Sequence, residues 1–498
     1  MKSCWACRRR RLVCDGRVPH CEKCEKNGVE CPGYDHKPLT WVGGVASRGQ
    51  MRNRTFGETP PKSGPQMPRR LAPRTSPADA PSTMTQWGYL ITVAPVPMPT
   101  DPILHGLKYE ERYFVDYFSS RICPTLVLLD STRNPYRAML SLLGSSGAVL
   151  NAIMAVSICH FAHSTTGYPI FSSQNTTALL NPELLNHFIT LKHNALRHLS
   201  QSIANLQDQR AEYPVLAAVI LLVFLEAFES GANSWTIHLE GAKRIVEVGR
   251  RNDRSTPSTT LADLINELAL FDALGSSLIR PGLLRSRLLT TDAIADSDLT
   301  TIGCPTELLY AIHTVASQRH TGAQPDIQLL HNTLTQIRHF DAQKWTDNVV
   351  GTSPEPSSIC PRGMAQVCNV WKTAAEIYVS RIICQIMKIP AARNPLVDDL
   401  IAGIRWLETD DRLVKGLVWP AFIAGAESIL PEHRELVLRI LDRVWGITLI
   451  ATARYAAMVL MNLWQKRDAM RELTGQSGLE NWDWIDELCS LDHHWLFL

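Results

Sequence analysis

A chain of 498 residues, 45% apolar and 20% charged, has room for a large buried core and an ordinary globular composition. Its longest apolar run, Val215 to Leu225, is about half of the roughly 20 residues that a bilayer span requires, so it reads as a buried helix and membrane partnership is not expected. The formal charge of +2 conceals a division, because residues 1–75 carry +10 and the remainder −8. A basic end on an acidic body is expected where one end alone meets a polyanion.

The chain begins with a duplicated ladder. Cys4, Cys7 and Cys14 are followed, each displaced by 17 positions, by Cys21, Cys24 and Cys31. Thiolate is a soft ligand that suits zinc, and Cys-x-x-Cys brings two sulfurs onto one ion. Three cysteines cannot complete a tetrahedron, but six complete two if two of them bridge both ions. Residues 1–13 are basic and lack an apolar segment, so no secretory signal is expected. Among reduced thiols such spacing reads as metal binding rather than as disulfides. The other seven cysteines (123, 159, 304, 360, 368, 384 and 489) lack pair spacing and are expected to be small buried apolar residues.

Four arginines, Arg8 to Arg11, lie between the second and third cysteines, in a stretch long enough for about two helical turns. A helix this short is held if zinc anchors both ends. Arginine can donate two parallel hydrogen bonds to guanine O6 and N7, or bind phosphate. The stretch CWACRRRRLVCDGRVPHCEKCEKNGVEC, with Asp15 after the third cysteine and Pro19 before the fourth, resembles the fungal two-zinc, six-cysteine DNA-binding cluster. The resemblance implies that Cys4 and Cys21 bridge the metals. One zinc ion would take Cys4, Cys7, Cys14 and Cys21, and the other Cys4, Cys21, Cys24 and Cys31. It further implies a nuclear, sequence-specific regulator of RNA polymerase II transcription that binds double-stranded DNA at CGG-like triplets. Arg10 and Arg11 would approach the DNA, Arg11 reading a base, with Arg8 and Arg9 nearer phosphates or the cluster. Val13 stands where the family usually has Lys or Arg. The same arginines could serve nuclear import.

Residues 36–104 are expected to be a disordered, basic linker. Residues 36–100 hold 11 of the 30 prolines, interspersed with Gly, Ser and Thr, and such composition buries too little apolar surface to offset chain entropy. Lys37, Arg48, Arg52, Arg54, Arg69, Arg70 and Arg74 could lie along phosphates. No apolar heptads are sustained there, so a coiled-coil dimer in the linker is not expected.

From about 105 to 498 the pattern becomes helical. Ala148 to Ala162 and Val215 to Leu225 read as central buried helices. Leu185, Phe188, Leu191, Leu196, Leu199, Ile203 and Leu206 recur near helical spacing. Trp235, His238, Leu239, Ala242, Ile245 and Val246 share a face after Ser234, a candidate N-cap. Stretches around 367–388 and 434–468 repeat the theme, and no alternating strands appear. The expected fold is therefore a small zinc-stapled module at 1–35 and a large all-α helical domain at 105–498, joined by the linker.

NPYRAMLSLLGSSGAVLNAIMAVSICHFA (134–162), WTIHLEGAKRIVEV (235–248) and LVWPAFIAGAES (417–428) resemble the fungal transcription-factor regulatory domain. This implies control by a small-molecule effector or a partner such as the transcription machinery or a coactivator, homodimerisation being one arrangement. A metabolic or secondary-metabolite gene set would be typical. Near the end, Trp482, Trp484, Trp495 and Phe497 alternate with acidic residues. That is the composition of an activation segment, or of a last amphipathic helix carrying Trp484, Leu488, Leu491 and Trp495 on one face. No His-Glu-x-x-His, phosphate loop or Gly-x-Ser-x-Gly is present, so no enzyme is expected. His187, His193 and His198 fall on different helical faces, and His493 and His494 read as surface residues. The competing reading is a zinc-supported protein-interaction module, or a small-molecule sensor, on a helical scaffold without DNA reading.

Overall fold

The sequence's 3.6-residue periodicity becomes helix throughout the computed structural model. It describes residues 3–10, 12–29, 31, 106–169, 182–204, 212–229, 234–252, 258–281, 283–284, 300–319, 324–352, 360–390, 394–474, 482–491 and 493–498. Among these no strand forms, and extended pairing is confined to single bridge residues at 305 and 495. The chain divides into two compact units, Met1–Ala94 and Pro95–Leu498. The expected linker lies outside the described residues.

The first unit contains two short helices, α1 (Trp5–Arg10) and α2 (Glu22–Lys26). The second is built on α3 (Tyr109–Tyr117), α4 (Gly147–Thr166), α5 (Pro182–Ala204), α6 (Glu212–Glu229), α7 (Trp235–Asn252) and α8 (Thr259–Leu278). It continues with α9 (Thr306–Arg319), α10 (Ile327–His339), α11 (Ala342–Thr352), α12 (Pro361–Met387) and α13 (Leu396–Leu407). The last four are α14 (Val418–Glu427), α15 (Pro431–Thr448), α16 (Ala451–Thr474) and α17 (Trp484–Ser490).

Apolar residues all round α6 leave no solvent face, and Val215 to Phe228 are buried without exception. This helix packs against α4, α5, α7, α8 and α16, which makes it the axis of one half of the core. The long α12 organises the other half, against α9, α10, α11, α13 and α14. Each fully buried Val, Leu, Ile or Phe contributes roughly 1.5–3 kcal/mol of transfer free energy. Helix α4 has the length and apolarity to cross a membrane, yet 72% of its apolar window is buried inside the fold. Its ends are set locally. Ser146 Oγ accepts from Val149 N–H at 3.3 Å, and Gly167, at φ 72°, ends the helix in the left-handed region that glycine tolerates.

The two central helices lie where the sequence put them, whereas three other readings need correction. On α5 the buried face is Leu184, Phe188, Leu191, Ala195 and Leu199; Leu196 and Ile203 point outward, and Leu206 is outside the described residues. Spacing near 3.6 admits two adjacent stripes, and packing against α4 and α6 selects one. The last helix stops at Ser490, so Leu491 and Trp495 do not extend its face and His493 and His494 are not helical. The tail instead returns to the core: Trp495, Leu496, Phe497 and Leu498 are buried, and Trp235 Nε1 donates to the His494 carbonyl at 2.8 Å. Trp484 Nε1 donates to Glu427 at 2.7 Å, so packing accounts for the acidic–aromatic mixture there. Finally, Cys360 is exposed and Cys384 and Cys489 are half-buried, unlike the buried Cys123, Cys159, Cys304 and Cys368.

On α7, Trp235, Leu239, Ala242 and Val246 are buried as expected, and the Ser234 carbonyl receives the first helical N–H groups. Periodicity alone missed Lys243, buried to 1% exposure on the same helix. It pairs with Asp272 at 2.6 Å and Glu240 at 2.8 Å, tying α7 to α8, while His313 of α9 lies 3.3 Å from the other Asp272 oxygen. Burial alone would raise the Asp272 carboxyl, but the His313 hydrogen bond and the Lys243 charge hold it below the ordinary range.

Candidate metal centre and nucleic-acid interface

The amino-terminal module repeats itself in space as it does in sequence. Cys7 N–H donates to Cys4 Sγ at 3.4 Å, and 17 residues on Cys24 N–H donates to Cys21 Sγ at 3.4 Å. Cys4 N–H reaches Cys14 Sγ at 3.5 Å, matched by Cys21 N–H to Cys31 Sγ at 3.5 Å. Leu12 N–H closes onto the Cys7 carbonyl at 3.0 Å, and Val29 N–H onto that of Cys24 at 3.0 Å. Each half is therefore one cysteine-led helical turn whose amides aim at its own sulfurs. Such bonds favour the thiolate form that metals require.

The halves meet through sulfur. Sγ separations are 3.6 Å for Cys4–Cys21, 3.8 Å for Cys4–Cys24, 3.7 Å for Cys7–Cys21 and 3.9 Å for Cys7–Cys24. Two quartets could each hold an ion: Cys4, Cys7, Cys14 and Cys21, and Cys4, Cys21, Cys24 and Cys31, with ligand atoms within 4.8 Å of one another. Cys4 and Cys21 belong to both. A tetrahedron with Zn–S near 2.3 Å has sulfur–sulfur edges of about 3.8 Å, so zinc fits this spacing.

Among the described residues little else lies at the centre. The core of the module consists of Cys4, Ala6, Cys7, Cys21, Cys24 and Cys31, with Cys14 packed against it. A body of this size does not stabilise itself on one alanine and a handful of thiols, and a structural metal is the usual remedy. Burial pushes the Cys4, Cys7, Cys21 and Cys24 thiols upward. A packed group of thiolates therefore needs cations in its midst.

The 17-residue repeat duplicates the scaffold but not its charge. Arg8, Arg9 and Arg10 of α1 correspond to Glu25, Lys26 and Asn27, and Arg11 to Gly28. Only the first half presents an unbroken cationic run, whereas on α2 Lys26 is paired with Glu22 at 2.9 Å. Helix α1 ends at Arg10, sooner than the two turns expected. Arg10 is exposed; the side chains of Arg8 and Arg9 and the whole of Arg11 lie outside the described residues.

Two further residues shape this face. Asp15 accepts from the amides of Glu22 at 3.0 Å and Lys23 at 3.4 Å, which caps α2 and lowers the Asp15 pKa. Lys23 donates from Nζ to the Val13 carbonyl at 3.0 Å, bracing the strand of chain that follows the arginines. The sequence gives no signal for this bond, because it exists only once the two halves are juxtaposed. Val13 itself is 82% exposed.

Residues 2–40 match the family described as the fungal Zn(2)-Cys(6) binuclear cluster domain, and residues 112–498 match the fungal specific transcription factor domain. The chain belongs to the fungal transcription factors. Cluster domains of this kind bind zinc and DNA, and regulators of this family act in the nucleus. Over 100% of its length the chain is 23% identical to the acriflavine sensitivity control protein acr-2 of Neurospora crassa, of which 97% is covered. It is also 23% identical to the phomenoic acid biosynthesis cluster-specific transcriptional regulator of Leptosphaeria maculans, across 97% of this chain and 87% of that one. The arginine metabolism regulation protein II of Saccharomyces cerevisiae is 55% identical over 38 residues, covering 8% of this chain and 4% of its own. No solved structure matches. The transcription regulator thus joins a sulfur-cored module to a helical domain, as its sequence led one to expect.

Proposed function

We propose that this regulator reads double-stranded DNA sequence-specifically through two zinc ions held by Cys4, Cys7, Cys14, Cys21, Cys24 and Cys31, and thereby controls RNA polymerase II transcription. The observation that carries this reading is the pair of sulfur quartets sharing Cys4 and Cys21, which make up almost all of the module's core among the described residues. Zinc supplies the tetrahedral clamp, and the chain supplies the cationic helix beside it. Arg10 and Arg11 approach the DNA, Arg11 contacting guanine in a CGG-like triplet, while Arg8 and Arg9 lie nearer phosphates or the cluster. The arginine run on α1, set against the mixed charge of α2, supports an asymmetric approach to DNA by the first half. The module occupies about 1–35, the linker 36–104 and the regulatory domain 105–498. That domain answers to a coactivator, another part of the transcription machinery or a small-molecule effector. Reading paired half-sites requires two copies.

The target is a metabolic or secondary-metabolite gene set, a reading supported by the relative named for phomenoic acid biosynthesis. Selection of bound sites from random duplexes tests the assignment: a CGG-like triplet should emerge, and half-site number should report stoichiometry. Arg11→Ala should relax one base-pair preference, with discrimination falling by roughly 1–3 kcal/mol. Affinity should drop by about 0.9 log unit per log unit of salt for each phosphate neutralised. Equal loss on selected and random DNA would remove Arg11 from base reading. Failure to enrich any sequence would favour a protein-interaction role for the module.

A further inference from the structure

Helices α6 and α8 meet α14, α15 and α16 around a void that neither half of the core fills. The cavity holds about 20 Å³, and the crevice around it, counted out to its open mouth, about 420 Å³. That is room for a buried group the size of one or two waters with a longer tail behind it. Phe224, Leu270, Phe271, Val418 and Val444 make most of the wall apolar.

Two polar groups interrupt that wall. Thr452 is fully buried, and its Oγ1 has no hydrogen-bond partner among the described residues. The other three hydroxyls of the lining are committed: Thr125 donates to the Ile122 carbonyl at 2.7 Å, Thr448 to that of Val444 at 2.9 Å, and Thr301 to Glu267 at 3.1 Å. Lys415 is half-buried; its Nζ donates to the Pro124 carbonyl at 2.6 Å but makes no ion pair among the described residues. Asp130, whose charge reaches it, is itself bonded to Arg137 at 2.7 Å. Burial therefore lowers the Lys415 pKa to about 8, whereas Lys192 and Lys243 elsewhere in the core each hold two carboxylates. Thr452 also stands in the first turn of α16, so the positive end of a 24-residue helix faces the same space.

We propose that this cavity binds a small apolar monocarboxylic acid as its anion, Lys415 and Thr452 holding the carboxylate while Phe224, Leu270 and Phe271 take the hydrocarbon. One cation and one hydroxyl are too few donors for a phosphate dianion, and an uncharged ligand leaves the lysine without a counter-charge. A carboxylate answers both groups, and an alkyl tail suits the rest of the wall. Because the lining comes from both halves of the core, an occupant bridges them. This deepens the small-molecule element of the proposed function and rests on that reading for its regulatory meaning.

Hexanoate is the probe, titrated calorimetrically into the full-length, zinc-loaded chain without DNA. Binding should be saturable, tighten by about tenfold from butanoate to hexanoate, and weaken by about tenfold or more when hexan-1-ol replaces the acid. Lys415→Met and the near-isosteric Thr452→Val should each weaken hexanoate by about fivefold or more, whereas Lys344→Met, at an exposed lysine of α11, should not. Far-UV circular dichroism verifies that all three variants stay folded. Absence of saturable hexanoate binding overturns the proposal. So does equal affinity for the alcohol, or affinity that both Lys415→Met and Thr452→Val leave unchanged. Binding as expected that leaves reporter transcription unaltered would support the site and count against the effector reading, so the two fail separately.

Discussion

Replacing one cysteine at a time should separate two kinds of sulfur in the amino-terminal module. Cys14 belongs to one quartet, whereas Cys4 belongs to both. Cys14→Ser leaves Cys4, Cys21, Cys24 and Cys31 complete, so the purified chain should fall from two zinc ions to one. Cys4→Ser leaves neither quartet with four sulfurs, and zinc should fall below one ion per chain. A structural zinc ion contributes roughly 10–16 kcal/mol of apparent binding free energy in small zinc domains. Among the described residues, a core of six cysteines and Ala6 does not offset a loss of that order. Cys4→Ser should therefore leave residues 1–35 unfolded and without DNA affinity, while Cys14→Ser keeps part of the module ordered. Native mass spectrometry reads the metal count directly, and a colorimetric chelator measures zinc released on titration. The control is Cys360→Ser, at an exposed cysteine far along the chain, which should retain both ions. Equal stoichiometry for Cys4→Ser and Cys14→Ser would refute the shared-sulfur argument.

Two predictions concern the helical domain. A Cβ at Gly275 of α8 would lie 2.4 Å from the ring of the fully buried Trp235, whose Nε1 is bonded to the tail; Gly275→Ala should lower stability in denaturant titration by about 1–3 kcal/mol, and a gain from improved helix propensity would contradict the packing. Burial pushes the Glu267 carboxyl up to about 7, against the hydrogen bonds it accepts from Tyr136 at 2.6 Å and Thr301 at 3.1 Å. Because the folded pKa is the higher one, its contribution is fully present below the unfolded value near 4.5 and is lost as pH rises through 7. The Glu267 contribution should thus fall between pH 5 and about 8 by on the order of 3 kcal/mol, read as the difference between the stability–pH profiles of the unaltered chain and Glu267→Gln. An unchanged pH profile in that variant would assign the effect elsewhere.

Residue chemistry and spacing were sufficient for the parts of this protein that depend on neighbours along the chain. The six cysteines could be read as a metal centre because ligand type and loop length confine a tetrahedral site, and the geometry groups their sulfurs in the two sets that the family resemblance implies. Val215 to Leu225 could be read as a core helix because apolarity all round a helix leaves no face for solvent. Reading stopped wherever two remote segments had to meet. Periodicity placed Leu196 and Leu199 together on α5, and only the position of α4 and α6 exposes the first while burying the second. Lys243 carries a surface residue's identity, yet Asp272 and Glu240 make its burial tolerable. The composition of the tail suited either a free acidic segment or a packed one, and the burial of Trp495 and Phe497 settles it. Local signals are set by torsion, spacing and ligand preference, which adjacent residues carry. Burial depends on which surfaces collide after the chain has closed, and no short window of sequence encodes that.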